Sequence, residues 1–183
     1  MFVCLIQKKT LAAKQVVIVV RVTFSAITEA NYPSVARIYQ AGIDSGNATF
    51  ETSVPSFHTW DNEHLPFGRI VAIINNVVVG WAALTNASKR KAYSGVAEVS
   101  IYISPEFQTK GIGYKLLKKL ITISEVHQIW TLQCSIMIEN KASIALHKKC
   151  GFREIGYREK IGRLHGVWRN NMILERRSKK IGI

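Results

Sequence analysis

The 183 residues predict a single mixed α/β domain of the α+β kind, and three observations carry that expectation. Strand-like runs at 69–74 and 77–84 are separated by only two residues, so the early strands pair as a hairpin. A strand over 97–103 leads through a glycine-bearing loop into a long amphipathic helix, a unit that occurs once and is not repeated. A strand pair, 152–160 and 167–175, closes the chain. Early strands, one central crossover and a late pair do not make a regular βαβ array, so a mixed sheet is expected rather than a doubly wound parallel one.

The elements follow in order. Residues 16–24 are rich in β-branched side chains and read as a long first strand, with what precedes them loosely held. Thr28 is placed to cap a helix over 29–41, where Val35, Ile38 and Tyr39 recur at helical spacing. Residues 42–52 break that pattern. After Pro55, Ser56 can accept a first-turn N–H of a second helix on which Phe57, Trp60 and His64 fall near one face. Asn75-Asn76 suits a two-residue turn that needs positive φ. A polar loop over 86–95 centres on Lys89-Arg90-Lys91. In the strand after it, alternation sets Val99, Ile101 and Ile103 on one face and Glu98, Ser100 and Tyr102 on the other. The helix over 111–127 has its stripe at Ile112, Leu116, Leu120 and Ile123. A strand over 130–138 and a helix over 141–149, stopped by Gly151, precede the final pair.

Composition narrows the function. With 48% hydrophobic residues the chain can fill a core, which excludes disorder and collagen-like repeats. Cys4, Cys134 and Cys150 are odd in number and form no C-x-x-C, which reads as free thiols in a reducing, cytoplasmic setting rather than a disulfide scaffold or metal cage. His58, His64, His127 and His165 lack metal-ligand spacing, so no metal is expected. No apolar run reaches the ~18 residues needed to cross a bilayer, and Gln7, Lys8, Lys9, Lys14 and Gln15 interrupt the N-terminal stretch, which is read as an extension. The formal charge of +13 would attract a polyanion, either nucleic acid or a polyphosphate cofactor. The charge is dispersed and no RNA-binding motif or recognition helix accompanies it, which argues against a nucleic-acid site.

Gln108, Thr109, Lys110, Gly111, Ile112 and Gly113 lie between the 97–103 strand and the long helix. First-turn N–H groups of a helix lack intrahelical partners and carry the positive end of its dipole, so they grip an anion where no side chain blocks the approach. The two glycines remove obstruction, Lys110 adds a point charge and Gln108 an amide. Alone, the pattern serves equally as a turn that merely starts a helix. It is neither a Walker loop nor G-x-G-x-x-G, which counts against triphosphate and dinucleotide binding.

Four pieces in order, however, resemble the GNAT superfamily of N-acetyltransferases, and within it the phosphinothricin acetyltransferase-like branch. They are A-E-V-S-I-Y-I-S-P at 97–105, the 108–113 loop, Glu139-Asn140 with Ser143, and H-K-K-C-G-F at 147–152. The resemblance covers residues 22–175 and implies a GNAT fold: a mixed, mostly antiparallel sheet with splayed central strands, flanked by helices. It divides the chain into an extension or first-strand start (1–21), an acetyltransferase domain (22–177) and a basic tail (178–183). It implies acetyl-CoA, the pyrophosphate held by the 108–113 amides. The pantetheine arm would pair along Ile101, Tyr102 and Ile103 as an added strand, with Asn140 and Ser143 at the following turn.

Acetyl transfer to an amine needs a neutral nucleophile, so an ammonium must lose a proton. Glu98 stands opposite the apolar set of its strand, where an ion pair is the alternative use, and the resemblance makes it the general base. His147 occupies a position where many relatives carry Tyr, and could bond or reprotonate the departing thiolate; the alternative is a helix histidine facing solvent. An oxyanion donor would be a backbone N–H near Ile101. Arg90 and Tyr93, in the loop before the fourth strand, are placed to recognise an anionic acceptor unless they are only exposed loop, with Phe50 and Trp60 as walls. Cys134 and Cys150 look structural, so direct attack without a covalent enzyme intermediate is expected. The resemblance also implies a homodimer joined through the C-terminal strand pair. The activity read here is acetylation of a small amino acid-like amine. Its rivals are protein or peptide N-acetylation and a non-catalytic module that senses CoA or binds polyanions.

Overall fold

The computed structural model describes residues 21–183, so the extension and most of the strand expected over 16–24 lie outside the described residues. Its described part is β1 (Thr23–Ala26), which pairs antiparallel with β2 (Ile70–Ile74). Between them come α1 (Tyr32–Asp44) and α2 (Phe57–Glu63). Thr28 does not cap α1. Asn31 is the cap residue: its Nδ2 donates to the Ala26 carbonyl at 2.9 Å and its Oδ1 accepts the Thr28 N–H at 2.9 Å. Pro33, whose fixed φ suits a first helical turn, follows it. Ser56 does cap α2, its hydroxyl oxygen accepting the Thr59 N–H at 3.2 Å.

Asn75 and Asn76 adopt φ of 48° and 63°, the left-handed pair that matches the twist of a hairpin, and so join β2 to β3 (Val77–Asn86). The chain continues with β4 (Val96–Ile103), α3 (Ile112–Val126), β5 (Thr131–Met137), α4 (Lys141–Lys149), β6 (Arg153–Leu164) and β7 (Val167–Arg177). β6 extends past its expected end at 160. A bulge between Arg158 and Gly162 absorbs the irregularity, and the Lys160 N–H is taken by Asn170 Oδ1 at 2.7 Å.

The seven strands form one sheet in the order β1-β2-β3-β4-β5-β7-β6. Every neighbouring pair is antiparallel except β4 and β5. Those two pair only where residues 96–98 meet 131–133, and beyond that they part. The mixed sheet with splayed central strands is thus the expected fold.

Each face is closed by its own apolar layer. Leu116, Leu117 and Leu120 of α3, all fully buried, pack with Val99, Leu132 and Leu174, and each such leucine contributes about 2 kcal/mol of burial. On the other face Val35, Ile38 and Trp60 of α1 and α2 pack with Val71, Trp81 and Ala83. None of that second layer comes from β5, β6 or β7. Residues after β7 are held rather than trailing: Ser178, 4% exposed, donates to Glu125 Oε1 at 3.0 Å, beside the Arg176–Glu125 ion pair. No described helix is long and apolar enough to cross a membrane.

Candidate active site

The parting of β4 and β5 is where the chemistry-bearing residues collect. Past Ile103 the chain makes one 3-10 turn, Pro105–Phe107, and then passes through left-handed backbone at Thr109 (φ 61°) and Gly111 (φ 75°). Gly111 immediately precedes α3, and no side chain caps its first turn. The leading N–H groups of this 15-residue helix are therefore offered outward with the positive end of its dipole. A Cβ at Gly111 would meet no atom within 4 Å, so it would project into the open approach. Gly113 borders the larger cleft and has a packing use as well: a Cβ there would lie 3.1 Å from Leu146 Cδ2, so its lack of a side chain lets α3 and α4 pack closely.

Two connected hollows open where β4 and β5 part, the larger of them against this turn. A cleft of about 830 Å³ is bordered by Ile103, Gln108, Thr109, Gly111, Gly113 and Lys149. A smaller cavity of about 160 Å³ holds Glu98, Ser100, Cys134, Ser135 and His147. Both are lined by Ala48, Ile101, Tyr102, Asn140 and Ser143, so one runs into the other. Asn140 caps α4, its Oδ1 accepting the Ser143 N–H at 3.1 Å, and its Nδ2 donates to the Asn47 carbonyl at 3.4 Å. Gln108 Nε2 donates to the Ile103 carbonyl at 3.4 Å, holding the loop to the end of β4. Lys110 is not aimed into the cleft: its ammonium donates to the Glu106 carbonyl at 2.8 Å and sits 5.0 Å from the Phe107 ring centroid.

Glu98 and His147 reach the same small cavity from β4 and α4. Burial raises the Glu98 pKa, against a smaller opposing effect of the Arg158 charge. His147 is 1% exposed, not turned to solvent, with its ring edge-on to Phe152 at 5.0 Å. Its Nδ1 lies 2.8 Å from the Ser143 carbonyl and so donates there. Nε2 has no partner among the described residues, and burial holds the ring pKa below its ordinary value. The resulting neutral imidazole carries its lone pair at Nε2. It is an acceptor, not a ready donor to a thiolate. The neighbouring Cys134 thiol is pushed up to about 12, mainly by burial and further by the Glu98 charge, so it stays protonated.

Other expected residues fall elsewhere. Trp60 borders neither hollow; at 1% exposure it is core, stacked on His64 at 4.0 Å and edge-on to Trp81 at 5.9 Å. Arg90 and Tyr93 sit at an exposed 3-10 turn before β4, also away from both hollows. Phe50 packs on Gly162 of β6, where a Cβ would come within 2.6 Å of its ring. The Tyr102 ring turns away from the Ile101 and Ile103 side chains to stack on Trp81 at 4.6 Å, although it also lines both hollows. Sequence reasoning missed Ser135, Ala48 and the Asn47 carbonyl. For Ser135 the alternation of Gln133 and Ser135 with Leu132 and Cys134 was the available signal; the other two lie in irregular chain without one. Among the described residues no three His, Cys, Asp or Glu side chains come together as a metal site.

Residues 32–152 match the acetyltransferase (GNAT) family model. The chain is similar to the phosphinothricin N-acetyltransferase of Alcaligenes faecalis, with 28% identity over 166 residues that cover 84% of this chain and 81% of that protein. It is also similar to an L-methionine sulfoximine/L-methionine sulfone acetyltransferase of Pseudomonas paraeruginosa, with 26% identity over 145 residues, 76% of this chain and 84% of the relative. A solved phosphinothricin acetyltransferase from Sinorhizobium meliloti, in complex with AcCoA, superposes with a TM-score of 0.79 at 29% identity, covering 88% of this chain and 90% of that one.

Proposed function

The chain belongs to the GNAT acetyltransferase family and is an acetyl-CoA-dependent N-acetyltransferase, and from that premise we propose that its acceptor is the α-amine of a small amino acid-like molecule of the phosphinothricin or methionine sulfoximine type. The observation that carries this reading is the small cavity itself: Glu98 and His147 share about 160 Å³, room for a compact acceptor, where β4 and β5 part.

Acetyl-CoA supplies the activated thioester carbonyl. The unobstructed amides around Gly111 fit a pyrophosphate, and Lys141 and Lys149 on the same cleft add positive charge for it. Main-chain groups of Ile101, Tyr102 and Ile103 are left free by the parting of the strands to hold the pantetheine arm, with Asn140 and Ser143 opposite. An ordinary ammonium, with a pKa of about 10, must be deprotonated before it attacks. Glu98 takes that proton, and its raised pKa makes it a stronger base than an exposed carboxylate. His147 Nε2, without a partner among the described residues, is free to accept a hydrogen bond from the bound reactants in the same cavity; once protonated, it can return the proton to the departing thiolate. Cys134, held as a thiol, takes no acetyl group, so the amine attacks directly.

The assembly we propose is a homodimer through β6 and β7. Ile155, Tyr157, Val167 and Trp168 there are each 44–56% exposed, an apolar set that a second copy would cover. Free buried Cys134 and Cys150 support a reducing, cytoplasmic setting.

Release of free CoA thiol across a panel of amines tests the acceptor. Turnover is expected with methionine sulfoximine or phosphinothricin above simple alkylamines. Acetylation of peptide N-termini without any of free amino acids would assign the chain to protein acetylation, and CoA binding with no thiol release, whatever amine is supplied, would leave it a CoA-binding module.

A further inference from the structure

An amino acid-like acceptor, the reading on which this inference rests, carries a carboxylate on the same carbon as its amine, so the site needs a hydrogen-bond donor within reach of the base. The sheet register shows where the small cavity holds one. Glu98 is opposite Gln133 in the last rung that β4 and β5 share. Alternation then puts Ser100 and Ser135, each two residues further on, on the face of Glu98 and on opposite sides of the gap. Both line the small cavity together with Glu98. Two residues advance a strand by about 7 Å, a step that a compact acceptor held at both ends can span.

Ser135 differs from Ser100 in what stands behind it. β7 pairs with β5 so that Ile173 is opposite Ser135 and Asn171 is opposite Met137, which makes Asn171 the diagonal neighbour of Ser135. Asn171 is 5% exposed, and its Nδ2 donates to Ser135 Oγ at 2.8 Å. That bond fixes the roles. The amide supplies its proton, Oγ accepts it, and the hydroxyl keeps its own proton for another partner. Among the described residues the Ser135 side chain makes no other hydrogen bond, and Ser135 is exposed where its neighbours Cys134 and Ile136 are buried. Its O–H is thus a held donor on the cavity wall, across the gap from Glu98. The residues lining this cavity include no lysine or arginine, so an anionic end placed there is met by hydroxyl donors.

We propose that Ser135 is a specificity-determining residue for the acceptor: its hydroxyl donates to a carboxylate oxygen while the amine faces Glu98, and Asn171 is the positioning residue that holds Oγ in place. A hydrogen bond to a charged group is stronger than one between neutral groups, so a single hydroxyl separates an amino acid from the amine that lacks its carboxyl group.

The test uses the full chain with acetyl-CoA and two acceptors, methionine sulfoximine and the amine left when hydrogen replaces its carboxyl group. Ser135→Ala is expected to lower kcat/KM for the amino acid about tenfold and to leave the amine within about twofold. Ser135→Thr keeps a hydroxyl and stays within about threefold of wild type on both. Asn171→Leu falls between wild type and Ser135→Ala on the amino acid, and the double variant is no worse than Ser135→Ala alone, because Asn171 acts through Ser135. An unchanged KM for acetyl-CoA reports that each variant is folded. Where the amine is not turned over, or Asn171→Leu does not fold, Ser135→Ala against Ser135→Thr on the amino acid decides. Equal loss on the two acceptors, no loss on either, or Ser135→Thr as poor as Ser135→Ala overturns the assignment of Ser135; additive loss in the double variant overturns that of Asn171. A wild-type chain that acetylates peptide N-termini and no free amino acid overturns the acceptor reading beneath it, and with it this inference.

Discussion

On one side of the parting of β4 and β5, residues 108–113 present peptide N–H groups from one short run of chain; on the other, Glu98, Ser135 and His147 present side chains from three separate elements. The first wall needs only a turn with the right backbone and no side chain in the way. The second needs strands and a helix brought together by the whole sheet. The difference teaches that binding a diphosphate can be encoded locally, whereas choosing and deprotonating an acceptor depends on tertiary placement.

The comparison is sharpened most by Glu98→Gln, on the acceptor wall. Steady-state kinetics should show kcat lowered about 100-fold or more with the KM for acetyl-CoA unchanged, the scale of a lost general base. The base must be ionised to act, and burial raises its pKa. Wild-type kcat should therefore fall as pH drops through a value above the ordinary carboxylate range, and the variant should lack that limb. Unchanged turnover would remove Glu98 from the chemistry and leave the acceptor wall without its base.

Gly111→Val probes the donor wall and should have the next largest effect. A branched side chain at φ 75° costs about 1–2 kcal/mol in backbone strain and projects into the open approach. The KM for acetyl-CoA should rise about tenfold, the KM for the acceptor should hold, and the melting temperature should drop by a few degrees. If acetyl-CoA binding is untouched, the amides before α3 do not hold the donor, and the contrast between the walls collapses.

The smallest effect is expected from Cys134→Ala. A thiol held at about 12 is not a nucleophile at neutral pH, so kcat should stay within about twofold while stability falls by about 1 kcal/mol for the lost buried sulfur. Intact-protein mass spectrometry during turnover should find no acetylated enzyme. Loss of turnover together with an acetyl adduct in the wild type would replace direct attack by a covalent route.

The fold was readable wherever local chemistry is decisive. Asn75-Asn76 announces its hairpin because few residues accept two left-handed positions in succession, and Ser56 announces α2 because its hydroxyl can serve a first-turn N–H. Thr28 misled because it is equally suited to capping, while the start of α1 was decided by Asn31 reaching back to Ala26 and by Pro33. Trp60 misled for another reason. A tryptophan on a short polar helix is compatible with a pocket wall or a core, and only the positions of Tyr32, His64 and Trp81 around it choose the core.

The residue pattern alone determined the mixed sheet, the glycine-bearing turn into α3, and Glu98 on the face opposite Val99, because periodicity and backbone preference act over a few neighbouring residues. Tertiary structure alone decided that His147 is buried with its lone pair at Nε2, that Gly113 also serves helix packing, and that Asn171 of β7 holds Ser135 of β5. Burial, desolvation and register between strands come from segments far apart in the chain, and no local pattern carries their relative placement.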